Sequence, residues 1–160
     1  MEGEGGFDIS TAEERVRRLY AYWNERRGDK PFPARGDIDP IDFDFALGFV
    51  SLVDVLDRPR RFFYRLVSTG LTQHLGFEMT GKEVDDLPGP EMRAYVRYLY
   101  TRALWNRAPL YDKGEITLDG TGWEHETLVL PLSDDGAAIN KLMIYRRAFP
   151  NANGSASPVD

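Results

Sequence analysis

Apolar positions near the start of the chain keep a helical rhythm. Val16, Leu19, Tyr20 and Trp23 recur at i, i+3, i+4 and i+7, one face of an α-helix. Ahead of them, Thr11-Ala12-Glu13-Glu14 fits a capping box, in which the Thr11 hydroxyl and the Glu14 carboxylate each satisfy a free amide. Gly28 closes the helix. Pro31-Phe32-Pro33-Ala34-Arg35 is extended, because a residue before proline avoids the helical region. Asp39 then caps a short second helix that has Pro40 at its first position.

At Phe49 the rhythm changes. The run to Leu56 is nearly all apolar and rich in β-branched residues, Asp57-Arg58-Pro59-Arg60 turns the chain, and Phe62–Val67 returns as a second strand. Leu71–Gly76 forms a brief helix. Pro90–Arg107 forms a long one, with Met92, Val96, Leu99 and Ala103 on one face and Ala94, Tyr98, Thr101 and Trp105 opposite. Three strands follow, Leu110–Leu118, Trp123–Leu132 and Ile139–Arg146, joined by turns at Asp119-Gly120-Thr121-Gly122 and Asp134-Asp135-Gly136. The order is helix, helix, two strands, short helices, long helix, three strands: an α+β domain.

Length and composition narrow the picture. The 160 residues make one domain. Residues 1–10 and 149–160 read as disordered tails, 11–48 as N-terminal helices with an extended connection, and 49–148 as the core. The absence of cysteine excludes disulfides, thiolate metal sites and cysteine nucleophiles. A formal net charge of −6 disfavours nucleic acid, and the arginines between Arg15 and Arg27 are interspersed with glutamates. No signal-peptide layout and no apolar run of about 20 residues occurs, which predicts a cytoplasmic chain without a membrane partner.

Five antiparallel strands interrupted after the second by helices resemble a PAS domain. Leu19-Tyr20-Ala21-Tyr22-Trp23-Asn24, Pro33-Ala34-Arg35 and Ile38-Asp39-Pro40 are similar to the N-terminal part of the PAS_5 family (formerly DUF1457) of bacterial single-domain PAS-like proteins. So are Tyr64-Arg65-Leu66-Val67, Thr80-Gly81-Lys82 and Leu130-Pro131-Leu132-Ser133-Asp134-Asp135-Gly136, and the resemblance spans about residues 15–147. It implies a five-stranded antiparallel sheet with helices on its concave face and an extra N-terminal amphipathic helix. It further implies a sensory or interaction module whose hollow can hold a small molecule, and dimerisation through the N-terminal helix and the outer face of the sheet. The family carries no assigned catalytic residues.

Candidate chemistry in the chain is sparse. His74 and His125 are the two histidines; neither lies on the long helix, and His125 alternates with Glu124 and Glu126 so that neighbours point to opposite faces. Neither metal nor cofactor is expected. Ser51, Ser68 and Ser133 lack the sharp Gly-x-Ser-x-Gly turn of a serine nucleophile. Asp37, Asp39, Asp42 and Asp44 lack the glycine and terminal glutamate of a calcium loop. No enzyme is expected.

Aromatic residues carry the remaining signal. Tyr64, Tyr95, Tyr100, Tyr111, Trp123 and Tyr145 fall on elements that would ring a PAS hollow, each pairing apolar area with one hydrogen-bonding handle. Arg65 and Arg102 could bring positive charge to an anionic or carbonyl-bearing ligand. The expected ligand-binding set is Tyr64, Leu66, Tyr95, Leu99, Arg102, Tyr111, Trp123 and Leu142. The expected interface set, for a homodimer and a protein signalling partner, is Val16, Leu19, Tyr20, Trp23, Tyr98 and Trp105. The rival reading is a filled core with no ligand, in which the protein works only through its surfaces.

Overall fold

The structure, a computed structural model, describes residues 7–75 and 78–151, with the side chains of 74 and 75 outside that description. Helix α1 spans Glu14–Arg27 and a kinked 3-10 segment spans Pro40–Phe49. Strands β1 (Val50–Leu56) and β2 (Arg61–Leu66) form the hairpin. Helices α2 (Thr69–Leu75) and α3 (Pro90–Asn106) follow, then β3 (Leu110–Leu118), β4 (Thr121–Leu132) and β5 (Lys141–Pro150). The five strands make one sheet in the order β2-β1-β5-β4-β3, and every neighbouring pair is antiparallel. The expected fold class is the observed one.

Both sheet faces are covered, so apolar side chains are needed on both sides of the central strands. On one face α1 and the 3-10 segment bury Val16, Leu19, Trp23 and Phe43 against Leu52, Leu128, Leu130, Met143 and Tyr145. On the other, α3 and the segment around Met79–Leu87 bury Val96, Leu99 and Tyr100 against Val53, Phe62, Tyr64, Val129 and Ile144. Strand alternation sorts each residue to its face. In β5, for example, Met143 and Tyr145 face α1 while Leu142 and Ile144 face α3.

Helix α1 belongs to its own domain. Val16, Leu19 and Trp23 are almost wholly buried, and the Trp23 indole Nε1–H donates to the carbonyl of Pro131 at 2.8 Å. These three residues have no area left for a second copy, which corrects the expectation that they form an interface. Tyr20 is half-buried between the rings of Phe7 and Trp23. The N-terminal cap also differs from the expected one. The helix starts at Glu14, one turn's edge past Thr11, with Glu13 at the N-cap and no side-chain cap of its own. Instead the buried Glu126 of β4 accepts from the Glu13 amide at 2.9 Å and from the Tyr111 hydroxyl at 2.5 Å. Glu13 in turn accepts from the Tyr145 hydroxyl at 2.8 Å and pairs with Arg15 and Arg147. The helix start is thus fixed by a tertiary carboxylate on the Glu13 amide, not by a local Thr11–Glu14 box.

Other boundaries move for similar reasons. Phe7 and Ile9 pack on the α1 core and β5 runs to Pro150, so parts of both expected tails are structured; residues 1–6 and 152–160 lie outside the description. Asp39 does cap the next segment, accepting from the Ile41 amide at 3.0 Å, but that segment is 3-10 rather than α. Gly28 closes α1 at φ 58°, as expected.

Helix α3 is held across the sheet at both ends. Asp119, in the β3–β4 turn, accepts from the amides of Glu91 and Met92, each at 3.0 Å, and its own amide donates to Glu91 at 2.7 Å. Gly89 makes this possible: a Cβ there would lie 1.8 Å from the Asp119 carboxylate. At the far end Arg107 donates to the Ala137 carbonyl at 2.7 Å.

Candidate functional site

Of the spaces along α3, two hold most of the expected ligand residues. The enclosed one lies between α3, α2 and the sheet and has a volume of about 30 Å³. Its polar lining comes from Ser51, Tyr64, Ser68, Tyr100, Trp123 and Arg146, and the rest is aliphatic with Met92 at the rim. The strand positions among these follow from alternation. Ser51 lies between Val50 and Leu52, which face α1, and Arg146 continues the Leu142, Ile144 series toward α3. Tyr64 and Tyr100 are buried with their hydroxyl oxygens 3.3 Å apart. Burial pushes the Tyr64 phenol above the usual tyrosine range and Tyr100 well above it, so both keep their protons. Ser51 Oγ accepts from the Ser68 amide at 2.9 Å, and Ser68 Oγ from the Leu71 amide at 3.1 Å.

The second space is an open groove of about 320 Å³ between α3 and β3. At its polar end the Tyr95 hydroxyl donates to Asp112, and His125 Nε2 lies 2.9 Å from that hydroxyl and 3.3 Å from Asp112. Thr127 Oγ1 stands 3.2 Å from Nδ1 of the same ring. The bond from His125 holds the Asp112 carboxyl below the usual range, burial opposes, and Tyr95 adds to the lowering. Burial, then Asp112, raise the Tyr95 phenol. Gly114 pairs across the sheet with His125 and leaves the floor open over it. All of the groove's buried polar groups are thus partnered within the protein.

The expected ligand residues divide between these spaces. Tyr64 and Trp123 line the enclosed hollow; Tyr95, Leu99, Arg102 and Tyr111 line the groove. Leu66 belongs to neither: it is half-exposed beside Leu47 and Val67 at the end of the hairpin. Leu142 is packed core on the α3 side. Tyr145 points to the α1 face, away from the hollow. Arg65 is engaged with Asp54, which Lys141 also contacts, and Arg102 lies over the Tyr98 ring. Neither arginine reaches the hollow; Arg146 does, and its even register with Leu142 and Ile144 was the signal for it. His125 and Glu126 do face opposite sides. His74's side chain lies outside the described residues. Among the described residues no cluster of three or more His, Cys, Asp or Glu residues could hold a metal, and no helix is long and apolar enough to cross a membrane.

With sheet order and site geometry in place, the chain matches the PAS_5 family model, a PAS domain, over residues 11–144. The chain belongs to the PAS domain family. The PAS fold thus accounts for the 2-1-5-4-3 strand order and for the helices inserted between β2 and β3. Among solved structures the chain is similar to a sensory box sensor histidine kinase from Vibrio cholerae, at 19% identity over 68% of this chain and 90% of that one, with a TM-score of 0.48. It is also similar to the Rhodobacter sphaeroides LOV protein (15%, 72% and 69%, TM-score 0.46) and to the light-state dimer of the fungal blue-light photoreceptor Vivid (12%, 92% and 98%, TM-score 0.46). No curated protein sequence matches the chain.

Proposed function

We propose that this PAS domain is a cytoplasmic sensory module that takes a small molecule in the enclosed hollow under α3 and passes occupancy to a protein partner. The observation that carries this reading is the hollow itself: a space under α3, lined by Tyr64, Tyr100 and Trp123, set within the packed core of that face. Its size sets the ligand. Drug-sized ligands occupy about 300–1,000 Å³, whereas about 30 Å³ admits only a few non-hydrogen atoms. A larger guest requires Met92 and Leu71 at the rim to move, and the unbranched thioether of Met92 suits that. Native mass spectrometry of the purified chain and thermal-shift screening of small metabolites test the reading. A saturable stabilisation lost on Val96→Phe, which fills the hollow, supports it; no stabilising compound overturns it.

A second reading rests on a different observation. Trp105 is 85% exposed and Tyr98 54% exposed on the outer side of α3, an unusual display for two large aromatics. This favours a surface that docks a partner protein or a second copy, with occupancy of the hollow irrelevant. Sedimentation velocity of Trp105→Ala distinguishes the two, because that substitution leaves the hollow intact and removes the surface.

A further inference from the structure

The hollow under α3 is rich in hydrogen-bond donors and poor in acceptors. Tyr64 and Tyr100 hold two phenolic protons but share one O···O contact of 3.3 Å. One proton is therefore left without an acceptor among the described residues. Ser51 and Ser68 both accept from backbone amides, and neither hydroxyl proton has an acceptor among the described residues. Arg146, half-buried on β5, has neither a hydrogen bond nor an ion pair among the described residues; its charge reaches the hydroxyls of Tyr64 and Tyr100 and, at longer range, Tyr95 and the Asp112 carboxylate of the groove. Among the described residues, the hollow's lining includes no carboxylate. A guanidinium and spare hydroxyl protons lining one space, with no acceptor opposite them among the described residues, make that space a donor-rich cradle suited to an anion.

We infer that the hollow binds a small planar oxyanion, a short-chain carboxylate or an inorganic anion of the same trigonal shape, anchored by the Arg146 guanidinium and the spare hydroxyl of the Tyr64–Tyr100 pair. The guanidinium fork matches two coplanar oxygens, which a tetrahedral anion presents less well. The volume of about 30 Å³ corresponds to roughly two water-sized bodies, the size of formate, nitrate or acetate. A buried anion needs both a counter-charge and hydrogen bonds, and this lining supplies both. The inference rests on the hollow being the ligand site and specifies what that site takes.

The test follows thermal unfolding and amide chemical shifts of the full chain against sodium formate, acetate, nitrate and sulfate. Sodium chloride at matched ionic strength is the reference, and acetamide is the neutral counterpart of acetate. The expected result is saturable binding of a planar oxyanion, weakened roughly ten- to a hundredfold by Arg146→Gln, less by Tyr100→Phe, and unchanged by Arg102→Gln in the outer groove. Response to formate and acetate but not nitrate identifies a carboxylate; the reverse identifies an inorganic anion. Binding of acetamide without any oxyanion overturns the anion inference and leaves the sensory reading standing. No binding of any probe overturns both. Equal affinity in Arg146→Gln, or loss in Arg102→Gln, places the anion elsewhere and overturns the inference. Should Arg146→Gln not fold, Tyr100→Phe and Ser68→Ala must each weaken binding, and failure of both to do so is equally decisive.

Discussion

On the α1 face of the sheet, Tyr111 and Tyr145 each donate to a carboxylate, Glu126 at 2.5 Å and Glu13 at 2.8 Å. On the α3 face, Tyr64 and Tyr100 have only each other among the described residues. The same residue type, half-buried at Tyr111 and buried at Tyr145, Tyr64 and Tyr100, is satisfied by carboxylates on one side and short of acceptors among the described residues on the other. The α1 face also has a carboxylate for its helix terminus, while on the α3 face Arg146 makes no hydrogen bond or close ion pair among the described residues and feels the Asp112 carboxylate only at longer range. Where donors and acceptors close on themselves, the polar network holds the fold together. Where they do not, the remainder is the donor capacity on which the proposed anion site rests. The groove between α3 and β3 behaves like the α1 face, since Tyr95, Asp112, His125 and Thr127 satisfy one another.

The largest expected effect tests whether the α1 face is permanent structure. Trp23→Ala should cost about 3–5 kcal/mol in urea denaturation, through the cavity it leaves and the lost bond to Pro131. Met92→Ala, at the half-buried rim of the hollow, should cost less than half as much. Equal costs would erase the distinction between the faces. Next, Tyr111→Phe should destabilise by about 1–3 kcal/mol, because it strips a donor from the buried Glu126 carboxylate. Tyr64→Phe removes a neutral bond and strands no charge, so about 1 kcal/mol or less is expected.

Acid titration sharpens the comparison further. Asp112 is held below its usual range by His125 and Tyr95 against the effect of burial. In Asp54, burial raises the carboxyl, but bonds from Lys141 and Arg65 outweigh it and leave it lowered. A carboxyl depressed on folding contributes stability that is present above its unfolded value, near pH 4, and is lost as pH falls through the lower folded value. Asp112→Asn and Asp54→Asn should therefore flatten the acid limb of the stability curve. Tyr100→Phe should leave it unchanged, since no carboxylate lines the hollow. The smallest effect is expected at the strap: Asp119→Ala should cost about 1 kcal/mol and raise amide exchange in the first turn of α3.

Periodicity made the elements legible, because a stripe such as Val16, Leu19 and Trp23 or an alternating run such as β5 records burial one turn or one residue at a time. The site was legible only in part. Tyr64 and Trp123 were visible as aromatics on the right strands, yet Tyr95, Leu99, Arg102 and Tyr111 went to a different space on the other side of α3. Nothing local marks which flank of a helix meets a hollow. Arg146 was passed over because an arginine near a strand end reads as solvent-exposed until its neighbours across the sheet are known.

Residue order alone determined the α+β plan, the five strands, the amphipathic helix, the Asp39 cap and membership of the PAS family. Those are matters of local spacing and of motifs. Tertiary structure decided that α1 packs on its own sheet, that its start is tied down by Glu126 accepting the Glu13 amide rather than by a Thr11–Glu14 box, and that one face keeps donors unpaired among the described residues. Those depend on which distant groups come within about 3 Å of one another, and strand pairing sets that distance, not sequence separation.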